Sequence, residues 1–212
     1  MQTAVNMLTI AQGVWSKSLE TAKVIVDATS GAGKDTLYLA RHKKPDAHIY
    51  AFDVQPTAML KTKKTTEEFK DGITYVLDSH ENISQVVDEK LDLVVFNLGY
   101  LPGGDHSITT VPKVTVKAVE ISMKQLAVNG VISIMVYPGH PAGKEESVHL
   151  MILLEELPKD EYSVIKCQLT NHDSTAPYLY LIEKVKSSRR RIKINPPTSH
   201  TTVRTVRYTA VL

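Results

Sequence analysis

The stretch that decides the fold runs Val24-Ile25-Val26-Asp27-Ala28-Thr29-Ser30-Gly31-Ala32-Gly33-Lys34-Asp35-Thr36. It opens on a β-branched run and breaks at a loop with two glycines. It then continues into Asp35–Arg41, where Leu37, Leu39 and Ala40 are the positions a helix would bury. Strand, glycine turn and helix in that order form the first unit of an α/β sheet. In open sheets of this kind ligands bind beyond the carboxyl ends of the strands. The loop is therefore both the start of the architecture and the first candidate site.

The same alternation repeats downstream. His48–Phe52, Ile73–Leu77, Leu91–Phe96 and Val131–Tyr137 read as strands, the last almost continuously apolar, as a buried parallel strand requires. Pro56 suits the first turn of a helix that runs on through Thr57–Lys70, with Met59, Leu60 and Phe69 available for burial. Lys113–Val128 has helical spacing and is expected to stop at Asn129-Gly130, and Lys144–Leu157 is a further helix. Two strands, near Tyr162–Leu169 and Tyr178–Val185, follow with no helix between them. The prediction is an α/β fold: a seven-stranded, mostly parallel sheet with an antiparallel C-terminal hairpin and helices on both faces. No repeat or low-complexity linker interrupts residues 20–186, so residues 1–186 read as one domain and 187–212 as a tail.

Charge is distributed unevenly along the 212 residues. The net formal charge is +2, yet residues 187–212 hold six basic side chains and no acidic one, leaving 19 Lys and Arg against 23 Asp and Glu in residues 1–186. The tail is expected to be poorly ordered, and it is a candidate either for phosphate contact or for a solvated end. Cys167 is the sole cysteine, which excludes an internal disulfide framework and a cysteine-cluster metal site. No apolar run approaches the roughly 18 residues of a membrane span, and the N-terminus has neither a basic n-region nor an apolar h-region. No membrane association and a cytoplasmic location are the resulting expectations.

Reading only the strand ends gives a short inventory. After the first comes DATSGAGKDT, after the second Asp53, after the third Asp78-Ser79-His80-Glu81, after the fourth NLGYLPGGDH and after the fifth YPGHPAGKEE. The first loop is not a nucleotide P-loop, because Ala28 stands where glycine is required and Asp35 where a Mg²⁺-binding hydroxyl is required. It is not a dinucleotide loop either, because Thr36 occupies the third glycine position. A cofactor without phosphates remains, and S-adenosyl-L-methionine fits. Gly31 and Gly33 allow close backbone approach, and Asp27 can orient backbone or a ligand ammonium. Asp53 can accept both ribose hydroxyls, and Asp78 or its neighbours can meet the adenine amine. The predicted cofactor-lining set is Asp27, Thr29, Gly31, Gly33, Asp35 and Thr36 from the first loop, with Asp53 and Gln55 from the second. Asp78, Ser79 and His80 come from the third, and Asn97 and Gly99 from the fourth.

Asn97-Leu98-Gly99-Tyr100 resembles the (Asp/Asn)-Pro-Pro-Tyr motif of methyltransferases that act on amines. There an amide oxygen and a neighbouring carbonyl hold the acceptor nitrogen so that its lone pair faces the methyl group, and the aromatic ring stacks on the base. An alkyl ammonium must lose a proton before attack, so a nearby base is expected. Asn97, Tyr100, Asp105 and His140 are the candidate catalytic residues, with His106 a further candidate base.

The strings DATSGAGKDTLYLA, DSHENI, VVFNLGYLPGGDHSITT, VYPGHPAGKEE and APYLYLIEK, in that order over roughly residues 20–186, resemble one family closely. It is the group long labelled putative rRNA methylases, of the YtqB/MnmM type. The resemblance implies a Rossmann-like class I methyltransferase fold. It also implies a tRNA partner, bound at the anticodon region, whose wobble 5-aminomethyl-2-thiouridine is converted to the 5-methylaminomethyl form. The chain departs from the family pattern at Ala32, Lys34, His106 and Ala142, where asparagine, histidine, lysine and glycine are usual. Lys61, Lys63, Lys64, the Arg189–Arg191 cluster and the groove of a homodimer are the candidate sources of positive charge for RNA. The alternatives at this level are methylation of rRNA or of a small-molecule amine, a non-catalytic RNA-binding Rossmann domain, and a nicotinamide oxidoreductase, against which the missing third glycine argues.

Overall fold

Parallel pairing organises the chain around its first strand. The computed structural model describes residues 6–99 and 110–186. The strands are β1 (Val24–Asp27), β2 (His48–Asp53), β3 (Ile73–Leu77), β4 (Leu91–Asn97), β5 (Leu126–Val136), β6 (Tyr162–Cys167) and β7 (Tyr178–Lys184). They form one seven-stranded sheet in the order β3-β2-β1-β4-β5-β7-β6. β1 through β5 pair in parallel, and β7 inserts antiparallel between β5 and β6. The predicted sheet and its C-terminal hairpin are both present. The order reverses beside β1, so the β1 and β4 ends lie together at the crevice where such sheets bind ligands.

Strand alternation feeds two cores. Val26, Val94, Phe96, Ile132, Ile134 and Val136 face one side, where they meet Ile83 and Val87 together with α5 (Pro112–Gln125) and α6 (Pro141–Glu155). Ile25, Leu93, Val95 and Met135 face the other, against α1 (Met7–Leu19) and α2 (Lys34–His42). α3 (Pro56–Thr65) packs against α2, β2 and β3, and a short α4 (Ile83–Val86) leads into β4. Fully burying each large apolar side chain in these layers stabilises by about 1.5–3 kcal/mol.

One helix and three helix boundaries differ from expectation. Helix α1 is unforeseen. Asn6 caps it by accepting from Thr9 N at 2.8 Å, and Met7, Ala11, Trp15 and Leu19 bury one stripe at four-residue spacing. The helix expected over Thr57–Lys70 ends at Thr65 and hands over to a tight 3-10 turn at Glu67–Gly72. The helix expected to reach Val128 ends at Gln125, where Lys184 Nζ donates to the carbonyls of Met123 (3.3 Å) and Leu126 (3.1 Å). Asn129-Gly130 thus lies inside β5 rather than at a helix end. A side chain at position 130 would come within 2.8 Å of the Leu91 carbonyl, at the point where the β4–β5 register shifts. α6 also begins three residues earlier than expected, at Pro141.

Candidate functional site at the carboxyl ends of the strands

Asp27 closes β1 with a carboxylate that is 1 % exposed. Its Oδ1 accepts from Thr29 N (3.2 Å) and its Oδ2 from the Thr36 hydroxyl (2.6 Å), so it ties the strand end to the first turn of α2. Burial, reinforced by the nearby Asp35 charge, raises its pKa from 3.8 to about 7. Asp27 therefore orients the loop from within. α3 braces the loop from outside: the Thr62 hydroxyl donates to the Gly31 carbonyl (3.1 Å) and the Thr65 hydroxyl to the Ala32 carbonyl (2.9 Å). Gly33 caps α2 at φ 79°, and a Cβ there would stand 2.8 Å from Thr62 Cα. The close approach that needs this glycine is to the α3 backbone.

Asp53, at the end of β2, is partly exposed beside the same loop. Its Oδ2 accepts from Gly31 N (2.8 Å) and its Oδ1 from Gln55 N (2.9 Å). Each carboxylate oxygen keeps a further lone pair for a ligand. At the end of β3, Asp78 is exposed and accepts from Ser79 N (2.7 Å) and Asn82 Nδ2 (3.0 Å), and Ser79 Oγ accepts from Glu81 N. His80 turns inward and is 8 % exposed, with its ring edge-on to Phe96. Its Nδ1 stands 3.1 Å from the Ala28 carbonyl, which accepts only, so Nδ1 carries the proton. Burial lowers its pKa and favours the neutral ring. Nε2 is then a buried acceptor with no partner among the described residues.

Asn97 ends β4 and is held twice. Its main-chain N–H donates to Thr29 Oγ1 (2.7 Å), and its side-chain Nδ2 donates to Asp35 Oδ2 (2.9 Å). A carboxylate accepts only, so the amide nitrogen must face Asp35 and Oδ1 is turned away from it. Burial raises the pKa of Asp35, and the Asn97 bond opposes that rise. Tyr137, following β5, brings its ring beside Gly99, where an added Cβ would sit 3.9 Å from Tyr137 Cδ2. Burial and the Asp35 charge push its hydroxyl pKa up.

The structure thus joins Asp27, Thr29, Asp35, Thr36 and Asn97 in one hydrogen-bonded group and Gly31, Asp53 and Gln55 in a second, while Gly33 caps α2, His80 meets the Ala28 carbonyl and Gly99 stands beside Tyr137. Asp78 and Ser79 stay in their own turn. His140 has an unforeseen structural duty: it caps α6, its Nδ1 accepting from Gly143 N at 3.1 Å. Tyr100, Asp105 and His106 lie outside the described residues. Sequence reading passed over Tyr137, Thr110 and Glu146, which enter through contacts from α6 and from the residues following β4 and β5. Among the described residues no group of His, Cys, Asp or Glu is arranged to hold a metal ion.

A family model described as "Putative rRNA methylase" matches residues 49–183. The chain belongs to that family. A curated relative, "tRNA (mnm(5)s(2)U34)-methyltransferase, chloroplastic" of Arabidopsis thaliana, is 31% identical over 187 residues, covering 82% of this chain and 68% of the relative. The crystal structure of a "putative rRNA-methylase" from Clostridium thermocellum superposes with a TM-score of 0.81 at 32% identity, covering 86% of this chain and all of that one. SMU.1697c, a "putative methyltransferase" from Streptococcus mutans solved in complex with SAH, gives 0.77 at 32% identity, covering 84% of this chain and 98% of that one.

This methylase is an S-adenosyl-L-methionine-dependent enzyme with a class I methyltransferase fold. Its residues fit that cofactor. The buried acceptor at His80 Nε2 matches a ligand amine, and the accessible Asp53 carboxylate matches vicinal hydroxyls. No helix among the described residues is long and apolar enough to cross a membrane.

Proposed function

We propose that the methylase acts on tRNA and methylates the aminomethyl nitrogen of wobble 5-aminomethyl-2-thiouridine, giving the 5-methylaminomethyl form. Asn97 carries the reading. Its amide is locked by Asp35 with Oδ1 turned away, at the strand end where the sheet order places ligands. The Arabidopsis relative, named for the same modified nucleoside, supports the substrate.

In this scheme Asp53 holds the cofactor's ribose and His80 Nε2 meets its adenine, while Asp27 and Thr36 keep the first loop in shape. S-adenosyl-L-methionine supplies the electrophilic methyl carbon. Asn97 Oδ1 accepts a hydrogen bond from the acceptor amine and so aims its lone pair; positioning of this kind supplies much of the rate in a displacement. Tyr100 stacks on the base, and Asp105 takes the amine proton; His140 does not, because a ring whose Nδ1 lone pair receives Gly143 N carries its proton on Nε2.

The test is nucleoside mass spectrometry of tRNA carrying 5-aminomethyl-2-thiouridine, incubated with protein and labelled S-adenosyl-L-methionine, with rRNA in a parallel arm. The label is expected on the wobble nucleoside. Asn97→Ala is expected to lower the rate by about 100-fold or more at unchanged cofactor affinity. Full tRNA methylation by Asn97→Ala, or label in rRNA alone, overturns the reading.

A further inference from the structure

On the opposite side of the acceptor turn from Asp35, Glu146 projects from α6 with 1 % of its surface exposed. Its Oε1 accepts a 2.6 Å hydrogen bond from the Thr115 hydroxyl on α5, and its Oε2 accepts one of 3.0 Å from the Thr110 hydroxyl. Thr110 Oγ1 in turn accepts from Gly99 N (3.1 Å), and Thr110 N donates to the Gly99 carbonyl (3.1 Å). A hydroxyl has one proton and two lone pairs, so Thr110 can receive Gly99 while giving its proton to the carboxylate. Both main-chain polar groups of Gly99 are thereby fixed, two residues beyond Asn97. Gly99 sits at φ 121°, a conformation that side-chain-bearing residues rarely adopt, and the tether holds it there.

Packing alone does not account for a carboxylate at this position. Burial raises the Glu146 pKa against the two hydroxyl bonds, and no salt bridge reaches it among the described residues. An apolar side chain would join α5 to α6 without burying a charge. What only the carboxylate provides is two acceptor oxygens, one for the helix and one for the turn.

We infer that Glu146 is a positioning residue for the methyl acceptor, acting through Thr110 and Gly99 to fix the main chain of the Asn97-Leu98-Gly99 turn. Asp35 orients the Asn97 side chain, and Glu146 sets where the turn stands. The inference rests on the proposed role of Asn97 as the group that receives the amine.

Four full-length variants test it: Thr110→Val, Thr110→Ser, Glu146→Met and Thr115→Val, with the double variant Thr110→Val/Glu146→Met. Three quantities are measured: hydrogen–deuterium exchange at the Gly99 amide, S-adenosylhomocysteine affinity by calorimetry, and kcat on modified tRNA. Thr110→Val and Glu146→Met are each expected to speed Gly99 exchange and lower kcat about tenfold, with cofactor-product affinity within about twofold of wild type. Thr110→Ser restores both readouts, and the double variant is no worse than the stronger single one, as groups in one chain of contacts require. Thr110→Val keeps the question answerable if Glu146→Met does not fold.

Unchanged exchange and kcat in Thr110→Val overturns the inference. So does a Thr115→Val variant that matches its loss, which would assign the network to α5–α6 packing. If Gly99 exchange responds as expected but Asn97→Ala methylates normally, the tether stands and the acceptor role falls through the Asn97 reading.

Discussion

Asp35 and Asn97 stand 62 residues apart in the chain and meet through one hydrogen bond, 2.9 Å from Asn97 Nδ2 to Asp35 Oδ2. The bond joins the first turn of α2 to the end of β4, the two elements that flank the crevice. It settles an otherwise symmetric choice, since an unrestrained asparagine amide can present either its oxygen or its nitrogen. Here a carboxylate takes the nitrogen.

Removing that carboxylate should therefore harm methyl transfer more than cofactor binding. Asp35→Ala frees the Asn97 amide to rotate, and kcat on modified tRNA is expected to fall about 10- to 100-fold. Asp35→Asn can still accept from Nδ2 through its own amide oxygen and should lose less. Single-turnover methylation beside S-adenosylhomocysteine calorimetry separates the effects. Equal rates in Asp35→Ala and wild type would show that the amide needs no anchor.

Asp27 makes stability depend on pH in a defined direction. Its carboxyl titrates at 3.8 when unfolded and at about 7 when folded. Between those values the native state holds more protons than the unfolded chain, so this group's contribution falls as pH rises through the window and levels off above about 7. Asp27→Asn cannot titrate. Urea unfolding of the cofactor-free protein between pH of about 5 and 8 should show wild type losing stability relative to Asp27→Asn as pH rises. Parallel pH curves for the two proteins would remove the buried-carboxyl account.

Much of this was legible because strand ends and glycine turns are local signals. Val24–Asp27 and Leu91–Asn97 announced themselves by composition, and the order of elements fixed which ends meet. Helix α1 was also legible, from Asn6 and the four-spaced Met7, Ala11, Trp15 and Leu19, a pattern easily passed over ahead of the first strand. Asn129-Gly130 was ambiguous in principle, because the same dipeptide ends helices and kinks strands; the approach to the Leu91 carbonyl decides between them. His140 looked chemical because it sits in a glycine-rich strand end, yet that is also where a helix needs a cap. Glu146 could not be found at all, since its partners lie 31 and 36 residues away and nothing local marks a buried glutamate.

Gly33 should tolerate no side chain. Gly33→Ala places a Cβ 2.8 Å from Thr62 Cα in a residue held at φ 79°. Left-handed strain of about 1–2 kcal/mol adds to overpacking of about 1–3 kcal/mol against a helix backbone that cannot simply rotate away. A stability loss of about 2–5 kcal/mol is expected by urea denaturation. A loss below about 0.5 kcal/mol would mean that α3 does not lie against this loop as described.

Asp53 separates cofactor affinity from methyl transfer. Its carboxylate receives Gly31 N and Gln55 N, so it sets the spacing of the first two loops while offering its remaining lone pairs outward. Asp53→Ala removes both functions, whereas Asn97 and Asp35 lie on the β4 side and keep their bond. S-adenosylhomocysteine affinity is expected to weaken about 10- to 100-fold, the loss of charge-assisted bonds of about 1.5–3 kcal/mol. At saturating cofactor, kcat should fall far less, because the acceptor turn is untouched. Asp53→Asn, with one acceptor oxygen, should fall between the two. If Asp53→Ala binds cofactor as wild type does, Asp53 only braces the loop and the ribose is held elsewhere. If kcat falls in step with affinity, the first two loops and the acceptor turn act as one unit, with the Thr29–Asn97 bond as the connection between them.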